Sequence, residues 1–423
     1  MKPKKIVLPN GLRLLLVAQP SSVAATTLLL VEAGSEYETR HTSGISHFLE
    51  HMVFKGTSKR PKPGIIATEL ASLGAQSNAF TSQEYTGYWA KVESSKILHA
   101  LEIVADMYLD PLFNPEEINR ERGVVIEEIN LYEDTPARRV HDLFSELLYG
   151  DQPAGWDVAG RKEIIRRLTR DDFIAYRRLH YLPKGTVVVV AGALDKEQVI
   201  WAVRSLFGRL KPGVPRAKLP TRESQARPRL IVKFKDSDQS HLILGVRAFD
   251  LFDKRRYALA LLADILGGGM SSRLFIRVRE EMGAAYYVRA DDSLFLDHGF
   301  FAVSAGVDNA RINEVVMAIL GEMRRVRDTL VSEAELKKSK DHLHGSMLLG
   351  LETSDELAGY YGGQEILTRK LEPPEELLRK IGKVTAEEVR ALSRELFKDK
   401  FLNLSVIGPY KDERPFKKIL TLR

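Results

Sequence analysis

The 423-residue chain contains no cysteine. Disulfides, thiolate zinc fingers, iron–sulfur clusters and cysteine nucleophiles are therefore excluded, and any metal must rest on histidine and carboxylate ligands. Long apolar runs are missing as well. The stretch from Thr186 to Leu194 falls far short of the ~20 residues a membrane helix needs, so no bilayer-spanning segment is expected. Low-complexity tracts are absent, and 44% apolar with 28% charged residues is the ordinary make-up of a folded soluble protein. The opening MKPKKIVLPNGL is basic but breaks at Pro9-Asn10-Gly11 with no apolar leader core, so a cytoplasmic location is expected. Neither sign of charge dominates: 63 Lys and Arg face 57 Asp and Glu, a net of +6. Bases and acids are interleaved, as in RKEIIRRLTRDDF, which marks solvated helix faces, and no basic strand studded with aromatics appears. Nucleic acid is not an expected partner.

Residues 205–230 collect Pro212, Pro215, Pro220 and Pro228 without helical or strand periodicity, which reads as a linker at mid-chain. A central linker invites a search for duplication. Thr169 and Thr385, each opening a capping box before a helical run, and Gly192 and Gly408, each closing a β-branched run, are both offset by 216 residues. Leu73-Gly74-Ala75 resembles Met282-Gly283-Ala284, and the apolar helical run ending at Gly56 resembles that ending at Gly269. The expected fold is α+β: two homologous domains from an internal duplication, each a mainly antiparallel sheet packed with a layer of helices. The expected boundaries are residues 1–210, a linker at 211–228, and residues 229–423. Asn10-Gly11 between KIVL and LRLLLV predicts a hairpin.

The chemistry concentrates at His47-Phe48-Leu49-Glu50-His51, inside an apolar run that fits a buried helix. Spacing i, i+4 puts both imidazoles on one helix face, within reach of a single zinc, and Glu50 beside them can take a proton from a water that zinc acidifies. This is HExxH in reverse order. The bland alternative is a pair of packed histidines beside an ion-paired glutamate. A catalytic zinc also needs a third protein ligand. After 76 intervening residues Glu128 lies in the helical stretch NRERGVVIEEI, and Glu121, two turns earlier, shares its face. Glu128 is expected as the ligand and Glu121 as its supporting carboxylate.

HFLEH, the 76-residue gap and ERGVVIEEI resemble the pitrilysin family of zinc metallopeptidases, and the likeness runs along the whole chain. In order come the PNGL hairpin, AGSEYE, HMVFKGT, SNAFTSQEYTGYWAKV, and GW with LTRDDF before VVVVAG. The resemblance implies a zinc endopeptidase acting on extended or unfolded peptides in a closable chamber. It implies one Zn²⁺ per chain held by His47, His51 and Glu128, with Glu50 as general base and Glu121 in support. It implies that Asn78, Ala79 and Phe80 lie on an edge strand that pairs with the substrate backbone. Arg279-Glu280-Glu281-Met282-Gly283-Ala284-Ala285-Tyr286 resembles the family's REKxGLAY segment, which implies that Arg279 and Tyr286 contact substrate and steady its oxyanion. Aligning Gly56 with Gly269 sets Ala260, Ala263 and Asp264 where His47, Glu50 and His51 stand, so no second zinc site is expected. Larger members close a chamber with four such domains in one chain. Two domains imply a partner: a homodimer, or a heterodimer with a related subunit. The other reading that the resemblance leaves is a non-catalytic assembly subunit.

Overall fold

Arg13–Ala18 is a nearly continuous apolar run buried on both faces, Lys4–Val7 is a mostly exposed strand beside it, and Gly11, at φ +94°, lets the chain turn between them. They form the hairpin β1–β2, with Lys4 opposite Leu16 and Val7 opposite Arg13. The computed structural model describes residues 2–422. The remaining strands are β3 (Ala24–Val31), β4 (Gln76–Thr81), β5 (Thr86–Glu93), β6 (Thr186–Gly192), β7 (Arg229–Phe234), β8 (Gln239–Ala248), β9 (Ala285–Leu294), β10 (Gly299–Asp308) and β11 (Asn403–Gly408).

Two sheets result, ordered β1-β2-β6-β3-β5-β4 and β7-β11-β8-β10-β9. Dropping the N-terminal β1 leaves the same five-strand order twice. Each copy has one parallel pair, β2 with β6 and β7 with β11, among otherwise antiparallel neighbours. The duplication and the α+β class expected from the repeated anchors are thus borne out in topology. Both capping boxes form, Thr169 with Asp172 and Thr385 with Glu388. Among the described residues no helix is long and apolar enough to cross a membrane.

The chain divides into two compact units, and neither is one continuous stretch. The first comprises residues 1–129, 156–219 and 347–374, and the second residues 130–155, 220–346 and 375–423. Each half of the sequence therefore gives one helix to the other unit. In the first unit, Leu15, Val17, Leu28, Leu30, Val187 and Val189 line one sheet face and are covered by Leu357, Ala358, Tyr361 and Ile366 of the helix Ser354–Leu367. Buried Glu365 of that helix pairs with Lys5 at 2.6 Å and with Arg13 at 3.4 Å. In the second unit the helix Pro136–Tyr149 supplies Val140, Leu143, Phe144 and Leu148 against Ile243, Ala302 and Ile407. Both faces of β6 are covered, which is why its sequence TVVVVAG is apolar without alternation.

The mid-chain linker has no regular structure between Gly208 and Pro228, yet its first part is held to the first unit. Arg216 donates its backbone N–H to the Leu179 carbonyl, and half-buried Lys218 bridges the buried carboxylates of Glu36 and Glu84 at 2.5 and 2.8 Å.

Candidate metal centre and substrate edge

The helix Ile45–Met52 follows β3 and carries His47, Glu50 and His51. Ile45, Phe48, Leu49 and Met52 are fully buried, and that apolar stripe sets the rotation at which the imidazoles emerge. Its first turn has no capping side chain of its own. Instead Glu38, the last residue of AGSEYE, accepts the backbone N–H groups of Gly44 (2.6 Å) and Ser46 (2.8 Å). Burial pushes the Glu38 carboxyl up to about 8 against the pull of those two bonds. Gly44, at φ +89°, lies against Gly160; a Cβ on Gly160 would sit 2.4 Å from the Gly44 Cα, so both positions need glycine for the backbones to touch.

The helix Pro115–Asp134 brings Glu121 and Glu128 to the same place. Nε2 of His47 and Nε2 of His51 are 3.2 Å apart, and Oε2 of Glu128 lies 3.5 Å from the first and 3.3 Å from the second. A tetrahedral ion with bonds of about 2.0–2.1 Å has ligand-to-ligand edges of about 3.3–3.4 Å. The three donor atoms have that spacing, so the residues present fit a zinc-sized ion with one position left open.

Glu121 accepts from Nδ1 of His51 at 2.9 Å, which in the neutral imidazole leaves the lone pair at Nε2 facing the donor triangle. The other Glu121 oxygen pairs with Lys55 at 2.6 Å. Burial pulls the His51 imidazolium down, but the hydrogen bonds and charges of Glu121 and Glu128 outweigh it and raise the group to about 9. The centre thus attracts positive charge. Burial likewise works to raise Glu121, while the bonds from His51 and Lys55 hold it below the usual carboxylate range. Glu50 is raised by burial, a shift that the Thr81 hydroxyl and His51 oppose and Glu128 reinforces.

Asn78, Ala79 and Phe80 lie on β4, which ends the sheet and has β5 as its one strand neighbour. Asn78 is exposed, and its side-chain oxygen accepts the Ala79 N–H at 2.9 Å. Ala79 is buried, whereas Phe80 is 36% exposed with its ring lying over Gly87 and edge-on to Tyr85.

Arg279 and Tyr286 belong to the second unit. A π-helical turn, Phe275–Glu281, carries Arg279, and its guanidinium lies 4.9 Å from the Phe275 ring centre and 5.9 Å from that of Tyr286. β10 pairs Gly306 with Tyr287 and Val307 with Ala285, so Tyr286 is the extra residue of a β-bulge, and it stands 76% exposed.

Three residues that sequence reasoning left without a role therefore stand at this centre: Glu38, Lys55 and Thr81. Lys55 had a readable signal, because it sits four residues after His51. Glu38 and Thr81 had none, since their contacts depend on how a loop and a strand register against the helix.

Residues 13–162 match the family model for insulinase, peptidase family M16, and residues 167–343 match the peptidase M16 inactive domain. An uncharacterized zinc protease of Streptomyces coelicolor is 36% identical over 97% of this chain and 90% of its own length. Another of that description from Bacillus subtilis is 34% identical over 96% of this chain and 98% of its own. A solved Helicobacter pylori protease has a TM-score of 0.89 at 25% identity, over 96% of this chain and 99% of its own. Full-length likeness at more than a third identity, with both domain models in order, leaves one assignment: this chain belongs to the insulinase family of peptidases, family M16.

Proposed function

We propose that this protein is a zinc-dependent endopeptidase that hydrolyses peptide bonds in extended or unfolded peptides. The observation that carries the reading is the triangle of donor atoms on His47, His51 and Glu128, with edges of 3.2, 3.3 and 3.5 Å, beside the Glu50 carboxylate. The relatives' description as zinc proteases supports the same choice of metal. When bound, zinc supplies Lewis acidity that lowers the pKa of a water toward ~7. The chain's own residues do the rest. Glu121 keeps His51 in the tautomer that presents Nε2. Glu50 takes a proton from the water as its oxygen attacks the scissile carbonyl carbon, and returns that proton to the amine nitrogen as the C–N bond breaks. β4 offers backbone groups to an extended peptide without demanding a sequence. Arg279 and Tyr286 contribute a cation and a phenol suited to a carbonyl oxygen gaining charge.

One zinc per chain belongs to the proposal, as does a second subunit that completes the chamber, a homodimer in the simplest case. The test is zinc quantification on the purified protein, digestion of an unstructured peptide mixture before and after chelation, and the molar mass in solution. One zinc per chain with chelator-sensitive cleavage is expected. Metal-free protein that neither binds added zinc nor cleaves would overturn the reading in favour of a non-catalytic assembly subunit.

A further inference from the structure

Glu50 has one hydrogen-bond partner among the described residues: the Thr81 hydroxyl, which donates to Oε2 at 2.6 Å. Thr81 is the last residue of β4. Residues two apart in a strand share a face. Thr81 and Ala79 therefore look to one side of β4, and that side meets the helix that carries Glu50, while Asn78 and Phe80 look to the other.

The carboxylate torsion of a glutamate is broad, so an untethered Glu50 would present its oxygens over a wide range of angles. A threonine hydroxyl has one proton to donate. Spending it on Oε2 fixes the carboxylate plane and leaves Oε1 to meet the water. Threonine is also stiff at χ1, and here its backbone is held in the ladder by pairing with Thr86. We infer that Thr81 is a positioning residue for Glu50: it aims the general base and fastens it to the strand proposed to pair with substrate. Register on β4 then sets both where the peptide lies and where the proton acceptor points. The inference rests on the proposed role of Glu50 as base, and goes beyond it by assigning what holds that base in place.

The test compares Thr81→Val, which keeps shape and strand propensity without the hydroxyl, with Thr81→Ser, which keeps the hydroxyl. With an unstructured peptide substrate, Thr81→Val is expected to lower kcat by about 10–100-fold, the scale of a lost hydrogen bond to a charged group. KM and zinc content are expected to stay as in the parent, and Thr81→Ser to restore kcat to within about threefold, the small remainder reflecting the looser serine rotamer. Peptide affinity, measured on the Glu50→Gln protein, should not change when Thr81→Val is added. A parent-like kcat in Thr81→Val, failure of serine to rescue, or a loss confined to KM or to zinc would reduce Thr81 to a structural tie and overturn the inference. Should Thr81→Val not fold, Thr81→Ala against Thr81→Ser makes the same comparison. The Glu50→Gln protein separates the two levels. Near-parental turnover there defeats the assignment of the base itself, whereas a dead Glu50→Gln with an unimpaired Thr81→Val defeats the positioning role alone.

Discussion

The two units share a strand order and part company in one helix. In the first, the helix after β3 presents His47, Glu50 and His51; in the second, the helix Arg256–Gly267 after β8 carries Ala260, Ala263 and Asp264 at the aligned positions. A polar bridge to a later long helix survives in both, with its polarity reversed. His51 donates to Glu121 of the helix Pro115–Asp134, whereas Asp264 accepts from Nδ1 of His342, at 2.6 Å, on the helix Glu333–Leu349. In the second unit the acid stands on the first helix and the imidazole on the second. A bridge of this kind ties two helices together whether or not a metal is held. What sets the first unit apart is the second imidazole and the second carboxylate, which turn a packing contact into a three-donor centre. The fold survives exchange of these residues because it rests on apolar strand faces, helix stripes and caps, none of which depends on them.

Breaking the chemistry of the first unit alone should have the largest effect. Glu50→Gln is nearly isosteric and cannot accept a proton, so turnover is expected to fall ~10²–10⁴-fold while zinc content and peptide binding persist. Stopped and steady-state assays with metal analysis check this, and retained turnover would remove Glu50 from the role of base.

Changing the second unit next asks whether it contributes chemistry or scaffold. Arg279→Ala and Tyr286→Phe should each lower kcat/KM by ~10–10³-fold with zinc stoichiometry unchanged, since every donor atom of the proposed zinc centre lies in the first unit. Released zinc in either variant would contradict the separation of roles. The support of the imidazole is a smaller matter. Glu121→Gln keeps a hydrogen-bond acceptor for His51 but loses the charge shared with Lys55, and zinc affinity measured by chelator competition should weaken ~10–100-fold.

The mildest change addresses the reversed bridge. Asp264→Asn should cost about 1–3 kcal/mol of stability, read as a lowered Tm, by weakening a buried acceptor for His342, and should leave zinc binding and kcat alone. A loss of zinc from this variant would mean that the second unit holds metal after all.

Much of this could be read in the linear chain, and the exceptions have a common cause. The pentapeptide His47–His51 is legible because helical spacing by itself sets both imidazoles on one face. Glu128 is legible with Glu121 as its companion because a seven-residue spacing returns to the same face two turns later. Thr81 is not, since its hydroxyl reaches Glu50 only through the pairing of β4 with β5 and the seating of the helix on the sheet. Glu38 is equally silent: an acid seven residues ahead of a helix becomes its cap only when the loop between them folds back.

The sequence by itself determined the elements, their duplication, the absence of thiol chemistry and the donor types at the centre, because these follow from local periodicity, caps and residue identity. Tertiary structure decided which sheet each helix covers. Residues 130–155 lie in the first half of the sequence and pack in the second unit, and residues 347–374 do the reverse. An apolar helix stripe specifies that it must be buried and roughly how much area it needs, but two homologous sheets offer it equivalent apolar faces. The particular fit selects between them: Gly362 admits Leu28, Leu30 and Val189 to close contact, and Glu365 meets Lys5 and Arg13.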